Sequence, residues 1–257
     1  MATFDDIPDG EDFPVSATLF VTYRRCPQQA LGRLQGIYGP PSRASFKGAL
    51  AHRLFARHLE DGEIPKDDFD RVCRQETGAN LNSQMASVGL KPSEFRAVVS
   101  EVRELYDTFT GLPTDGFSEA EASFESEVGG GVRLRGRIDA VFSSEKGDRI
   151  VDWKTSAYLA GDTEAQLGFY ALAWVKLHGS RPSASEAISV TTGETVGVEV
   201  SDAALAETES EVAGMVTELR EAMAEGTKLE RTAGPHCSWC PLLDDCSEGR
   251  AAEALLS

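Results

Sequence analysis

Two stretches decide how this chain folds: Val132-Arg-Leu-Arg-Gly-Arg-Ile-Asp-Ala-Val-Phe142, then Arg149-Ile-Val-Asp-Trp-Lys-Thr155. The first alternates apolar and polar residues, which predicts a half-buried strand with Leu134, Ile138 and Phe142 on one face. Arg133, Arg135, Arg137 and Asp139 then share the opposite face. The intervening Ser144-Glu-Lys-Gly-Asp148 is turn-rich, and the second stretch reads as the returning strand. A loop from Ser144 to Gly147 sets Asp139 opposite Asp152 and puts Lys154 on their face. Facing carboxylates repel in a hairpin, and a bound cation relieves that repulsion. The plainer alternative is an exposed hairpin with ordinary surface charges. Two carboxylates able to hold a divalent cation, beside a lysine that steers water, are the parts needed for metal-assisted phosphodiester hydrolysis.

The surrounding residues strengthen the first reading. Gly136-Arg-Ile-Asp139, Val151-Asp-Trp-Lys-Thr155 and Gln166-Leu-Gly-Phe-Tyr170 together resemble the PD-(D/E)xK nuclease superfamily, most closely its RecB-like branch. His52, in Gly48-Ala-Leu-Ala-His52, matches the family's upstream histidine, and Glu121 matches an acidic position in the preceding strand. Glu119, Glu125 and Glu127 compete with Glu121 for that match. The resemblance implies an α/β fold with a restriction-endonuclease-like core, a mixed sheet flanked by helices. It further implies that Asp139, Asp152, His52 and the backbone carbonyl of Trp153 hold Mg²⁺ or Mn²⁺, while Lys154 positions or activates water. Gln166 and Tyr170, four apart on one helix face, support the site or the DNA. The implied activity is metal-dependent DNA cleavage by an exonuclease on single-stranded or end-bearing DNA, in CRISPR spacer acquisition or DNA repair. Integrase or helicase proteins are the partners implied. The contrasting expectations are a DNA-end-binding module active only with a partner, or a zinc-stapled DNA-binding protein.

Cysteine usage adds a second signal. Cys237, Cys240 and Cys246 form C-x2-C-x5-C, and Cys26 lies far upstream in Tyr-Arg-Arg-Cys-Pro. Sulfurs bunched this tightly are poor candidates for disulfides with one another, so metal binding is the natural reading, with Cys26 the best fourth ligand. Zinc competes, with His236 as a substitute ligand, and free structural thiols are the plainest alternative. The spacing is similar to that of RecB-like nucleases, the CRISPR-associated exonuclease and the AddB nuclease domain included, and that resemblance implies a [4Fe–4S] cluster clasping the two ends of the chain. Cys73, inside a helical stretch, reads as a small buried apolar residue.

A net charge of −17 opposes binding to nucleic acid unless the basic residues are segregated. They are: residues 16–60 carry seven basic side chains against one acid, and Arg133, Arg135 and Arg137 add a second stripe. Arg24, Arg25, Arg53, Arg135 and Arg137 are the candidate DNA contacts. No apolar run of about 18 residues exists, so no membrane span is expected, and without a targeting segment the cytoplasm is the expected location.

The expected layout is an acidic flexible arm over 1–15 and a single nuclease domain over 16–250. Within that domain the sequence predicts one helix from Ser16 to Gln35, a helical insertion over 44–112, and helices over 162–178 and 202–225. A cluster-binding segment over 233–250 completes it.

Overall fold

The computed structural model describes residues 1–159 and 161–256. Its spine is strand β3 (Val132–Ser144), with short β1 (Phe13–Val15) before it in the chain and long β2 (Phe117–Gly129) joined to it by a glycine turn. β2 runs antiparallel along one edge of β3, while the other edge is shared. β1 pairs in parallel with Val132–Leu134, and β4 (Gly147–Lys154) pairs antiparallel from Ala140 to Ser144. Between these two partners, Arg135–Asp139 has no strand on that edge among the described residues. Parallel β5 (Ala184–Ser189) and antiparallel β6 (Thr195–Val198) complete a mixed six-stranded sheet.

Helices cover both faces. On one lie α1 (Ala17–Arg25), α2 (Pro27–Leu34), α7 (Asp162–His178) and α8 (Asp202–Glu225), whose Phe20, Leu31, Phe169 and Val216 pack with Leu134 and Ile138. On the other lie α3 (Arg43–Asp61), α4 (Phe69–Glu76), α5 (Asn82–Val88) and α6 (Pro92–Phe109). Their Leu50, Phe55, Val98 and Phe109 pack with Phe142, Val151 and Trp153. The stretch expected as an insertion is therefore one of the two core layers. The last helix, α9 (Ser247–Leu256), follows the cysteine segment.

Four expectations need correction. Residues 1–15 are no flexible arm: Phe4, Ile7, Phe13 and Val15 are buried, and the acids stay outside. Apolar side chains spaced among those acids supply enough burial to dock the segment. The helix expected over Ser16–Gln35 breaks at Cys26, which is extended (φ −161°, ψ 106°). Pro27 causes the break, because proline's ring excludes helical backbone at the preceding residue. The hairpin register is as expected, but Ser144 itself pairs with Gly147, leaving only Glu145-Lys146 as the turn. Phe142 and Ile138 also lie in different core layers. The alternation changes face between Ile138 and Ala140, across from Glu121, the one non-glycine residue with positive φ (52°) among the described residues. Such backbone costs of the order of 1–3 kcal/mol and persists only where the surroundings over-determine it.

Candidate active site

The unpaired edge of β3 is where the candidate residues meet. Pairing between β3 and β4 stops at Ala140 and Val151, one residue before the two aspartates. Beyond that point the Asp139 side chain takes over from the ladder: its Oδ2 accepts the Trp153 backbone N–H at 2.8 Å. Trp153 sinks its indole into the core against Phe109 and Phe142. Alternation then sends its neighbours Asp152 and Lys154 to the other face of β4.

α3 brings His52 in from the opposite layer. Ser42 starts this helix, accepting the Ser45 N–H on its side chain. Ala51, Leu54 and Phe55 pin one face in the core, leaving His52 at the helix border with Nδ1 3.2 Å from Asp139 Oδ1. Glu121 arrives from β2, its Oε2 2.8 Å from Arg137 Nη1 but out of hydrogen-bond alignment. One ligand atom each from His52, Glu121 and Asp139 lies within 4.8 Å of the others.

A second group adjoins the first. Lys154 Nζ donates to Gln166 Oε1 at 2.6 Å, and Gln166 Nε2 donates to Asp152 Oδ1 and Tyr170 Oη, both at 2.9 Å. An ammonium can only donate and a carboxylate can only accept, so the Gln166 amide has a single workable orientation. Asp152 Oδ2 lies 2.7 Å from Lys154 Nζ, a charge contact without hydrogen-bond alignment. Asp152 thus stands outside the tight His52–Glu121–Asp139 set.

The electrostatics divide the two aspartates. Burial pushes Asp139 up, but His52, the Trp153 N–H and Lys154 outweigh it and hold the carboxyl below the usual range. Asp152 moves the other way, pushed up to about 6 by burial and by the Asp139 charge, against the opposing pull of Lys154. Burial lowers His52, yet Asp139, Asp152 and Glu121 together raise it. Burial likewise raises Glu121, with Arg137 opposing it and Asp139 adding to the rise. Burial and the same two aspartates raise the Tyr170 phenol. One carboxylate stays ionised beside another that is costly to ionise, which is the electrostatic demand for a cation.

The structure thus gathers His52, Asp139, Asp152, Lys154, Gln166 and Tyr170, and selects Glu121 over Glu119, Glu125 and Glu127. In the sequence the family resemblance pointed to Glu121, with nothing else to separate it from its acidic neighbours. The arginines are not gathered into a free basic track. Arg24 pairs with Glu211, Arg25 with Asp162, Arg53 with Glu76, and Arg137 with Glu121, while Arg133 meets Asp12, Glu125 and Glu127. Arg135 is exposed. The acidic body neutralises from within most of what the sequence segregated.

Cys26, Cys237, Cys240 and Cys246 line one cavity between α2 and the terminal segment, all four as free thiols. Gly234 N–H points at Cys237 Sγ (3.4 Å) and Gly249 N–H at Cys246 Sγ (3.3 Å). Gly249 packs closely here: a Cβ would sit 3.2 Å from Leu243 Cδ1, 3.3 Å from Cys246 Sγ and 3.5 Å from Cys237 Sγ. His236 Nε2 lies 3.1 Å from the Thr232 carbonyl, which occupies it. Cys73 lies apart in the α3–α6 core, its thiol pushed up to about 12 by burial.

Comparison with known proteins gives this geometry a family. Among solved structures, a candidate exonuclease from Eubacterium rectale aligns with a TM-score of 0.57 over 90% of this chain and 86% of that chain, at 12% identity. At that identity the likeness shows the fold alone. A protein called SSO0001 covers 78% of this chain and 95% of its own at 16% identity, but its TM-score of 0.38 carries no argument. No curated protein matches the chain. The model of the PD-(D/E)XK nuclease superfamily matches residues 14–247, from the first strand through the last cysteine, and the mixed sheet flanked by helices is the core it requires. The chain belongs to the PD-(D/E)XK nuclease superfamily.

Proposed function

We propose that this nuclease is a divalent-metal-dependent exonuclease acting on single-stranded or end-bearing DNA. The observation that carries the proposal is the convergence of His52, Glu121 and Asp139 within 4.8 Å, next to the Asp152–Lys154–Gln166 chain. The donor set fits Mg²⁺ or Mn²⁺. It offers carboxylate oxygens and one imidazole, and both Glu121 Oε2 and Asp152 Oδ2 are buried without hydrogen-bond partners. His52, Glu121 and Asp139 would hold the ion, with Asp152 and the Trp153 carbonyl completing its shell. When bound, the metal polarises the scissile phosphate and lowers the pKa of water. Lys154 has three N–H donors, of which Gln166 takes one; the ammonium rests against the Asp152 charge and keeps a donor to orient the attacking water. Gln166 and Tyr170 hold that ammonium in place.

We read the four cysteines as ligands of a [4Fe–4S] cluster rather than of zinc, from their spacing and their shared cavity. Tetrahedral zinc with Zn–S bonds of about 2.3 Å sets its sulfurs roughly 3.8 Å apart. Among the described residues no three cysteine sulfurs lie within 4.8 Å of one another. A cubane spreads its thiolates farther, and N–H groups pointing at sulfur, as Gly234 and Gly249 provide, suit cluster thiolates. In this reading the cluster is structural and ties α2 to the end of the chain. The cysteine spacing, similar to that of the CRISPR-associated and AddB nucleases, supports a cytoplasmic role in spacer acquisition or DNA repair beside an integrase or a helicase.

The test is digestion of linear and covalently closed single-stranded DNA by anaerobically purified protein with Mn²⁺, run beside Asp139→Ala. Loss of the linear strand alone, and only with Asp139 intact, is the expected result. Cutting of both forms overturns the exonuclease assignment and keeps the site. No cutting of either moves the assignment to an end-binding module that needs a partner.

A further inference from the structure

A cleft of about 940 Å³ opens beside Lys154 and Gln166 and runs between α1–α2 and the cysteine segment. It has three properties the cleavage site does not need. Two large aromatic side chains on its walls face solvent, Trp239 at 63% and Tyr158 at 79% exposure. Its cations are Lys154, Arg25 and Arg33; Lys154 lies against Asp152 and Arg25 against Asp162, while Arg33 has no acidic partner among the described residues. The remaining lining is rich in hydroxyls and amides such as Thr18, Thr22, Gln29 and Ser238. What sets Trp239 and Tyr158 apart is that both line one cleft, together with its cations and polar groups.

We propose that this cleft is the path of a single DNA strand and that Trp239 and Tyr158 are its base-stacking platforms. The inference rests on the nuclease reading above and adds the substrate form. Any base offers a π-face, so two aromatics with flanking cations bind a strand without reading its sequence. Bases inside a duplex are already stacked and cannot present those faces, so the cleft favours single strands or frayed ends. Trp239 also lies between Cys237 and Cys240, which places one platform on the cysteine clasp itself.

Trp239 gives the test a direct readout. Of three tryptophans, Trp153 and Trp174 are buried (2% and 8% exposed), so ligand-dependent fluorescence quenching reports Trp239. The full anaerobically purified chain is titrated with oligo(dT) and with a hairpin-capped duplex, without added divalent metal. KM and kcat are then measured on linear single-stranded DNA with Mn²⁺ for wild type, Trp239→Ala, Trp239→Phe and Tyr158→Ala. The expected result is quenching by oligo(dT) and not by the duplex. Each alanine variant should raise KM about ten-fold with kcat within about two-fold, and phenylalanine should restore most of the KM. If Trp239→Ala melts early, Tyr158→Ala and the wild-type quenching carry the test. Cleavage with no quenching, and with KM unmoved by either alanine, overturns the proposal and leaves the nuclease reading standing. Quenching by oligo(dT) from a wild type that cuts nothing supports the cleft and overturns the nuclease reading.

Discussion

The Asp139 carboxylate accepts the backbone N–H of Trp153 at 2.8 Å, where the β3–β4 ladder has ended. A candidate metal ligand is therefore also the tie that places Asp152 and Lys154.

That double role separates two substitutions. Asparagine at 139 retains an oxygen to accept the Trp153 N–H, whereas alanine leaves the amide unpaired. Both should lower cleavage by roughly a thousand-fold or more, through loss of a metal ligand. Asp139→Ala should in addition unfold about 1–3 kcal/mol more easily than Asp139→Asn, read by denaturant titration in EDTA.

Lys154→Ala should cut kcat by roughly a hundred- to a thousand-fold while weakening DNA affinity far less, because one positioned proton donor is lost. Gln166→Ala should show a smaller loss in kcat, since Lys154 Nζ keeps Asp152 at 2.7 Å. Single-turnover cleavage beside a binding isotherm distinguishes the two.

The metal-free protein should lose stability as pH rises. Asp152 has a folded pKa of about 6 against an ordinary 3.8, so the native state holds more protons than the unfolded state across that window. Stability therefore falls from about pH 4 to pH 6, by roughly 3 kcal/mol from this group. His52 acts with the same sign: its raised pKa gives stability that is complete below 6.5 and lost as pH climbs through the higher folded value. Tm measured in EDTA should fall from acid to mildly basic pH, with a flatter slope in Asp152→Asn. Mn²⁺ should offset the fall above about pH 6, because it binds the deprotonated ligands.

Glu121→Gln should raise the Mn²⁺ concentration for half-maximal cleavage by about ten-fold or more, with Glu119→Gln and Glu125→Gln near wild type. Equal effects of all three would sink the assignment of Glu121.

Substituting Cys26, Cys237, Cys240 or Cys246 by serine should remove iron and acid-labile sulfide and lower Tm markedly, since the clasp joins distant parts of the chain. Cys73→Ala should retain full iron content and cost about 1 kcal/mol, as a small buried side chain does. Zinc in place of iron in the native protein would overturn the cluster.

Much of this was legible in the residues. Alternation over 132–142 and the Ser144–Gly147 turn determined the hairpin register that brings Asp139 toward Asp152. The helices expected over 162–178 and 202–225 are α7 at Asp162–His178 and α8 at Asp202–Glu225. Those signals are local, carried by repeats of two and 3.6 residues and by turn chemistry. The tertiary structure alone decided the rest. Apart from the family resemblance, Glu121 could not be told from its acidic neighbours until β2 registered against β3 and the backbone at Glu121 turned to positive φ. The arginine stripes looked like a DNA track until acids from distant segments, Glu211 and Asp162 among them, closed on them. His52 reached Asp139 only because α3 and α6 cover the face of the sheet behind Trp153. Each of these depends on which surfaces bury one another, and that free energy is set by contacts between residues far apart in the chain, which no local pattern encodes.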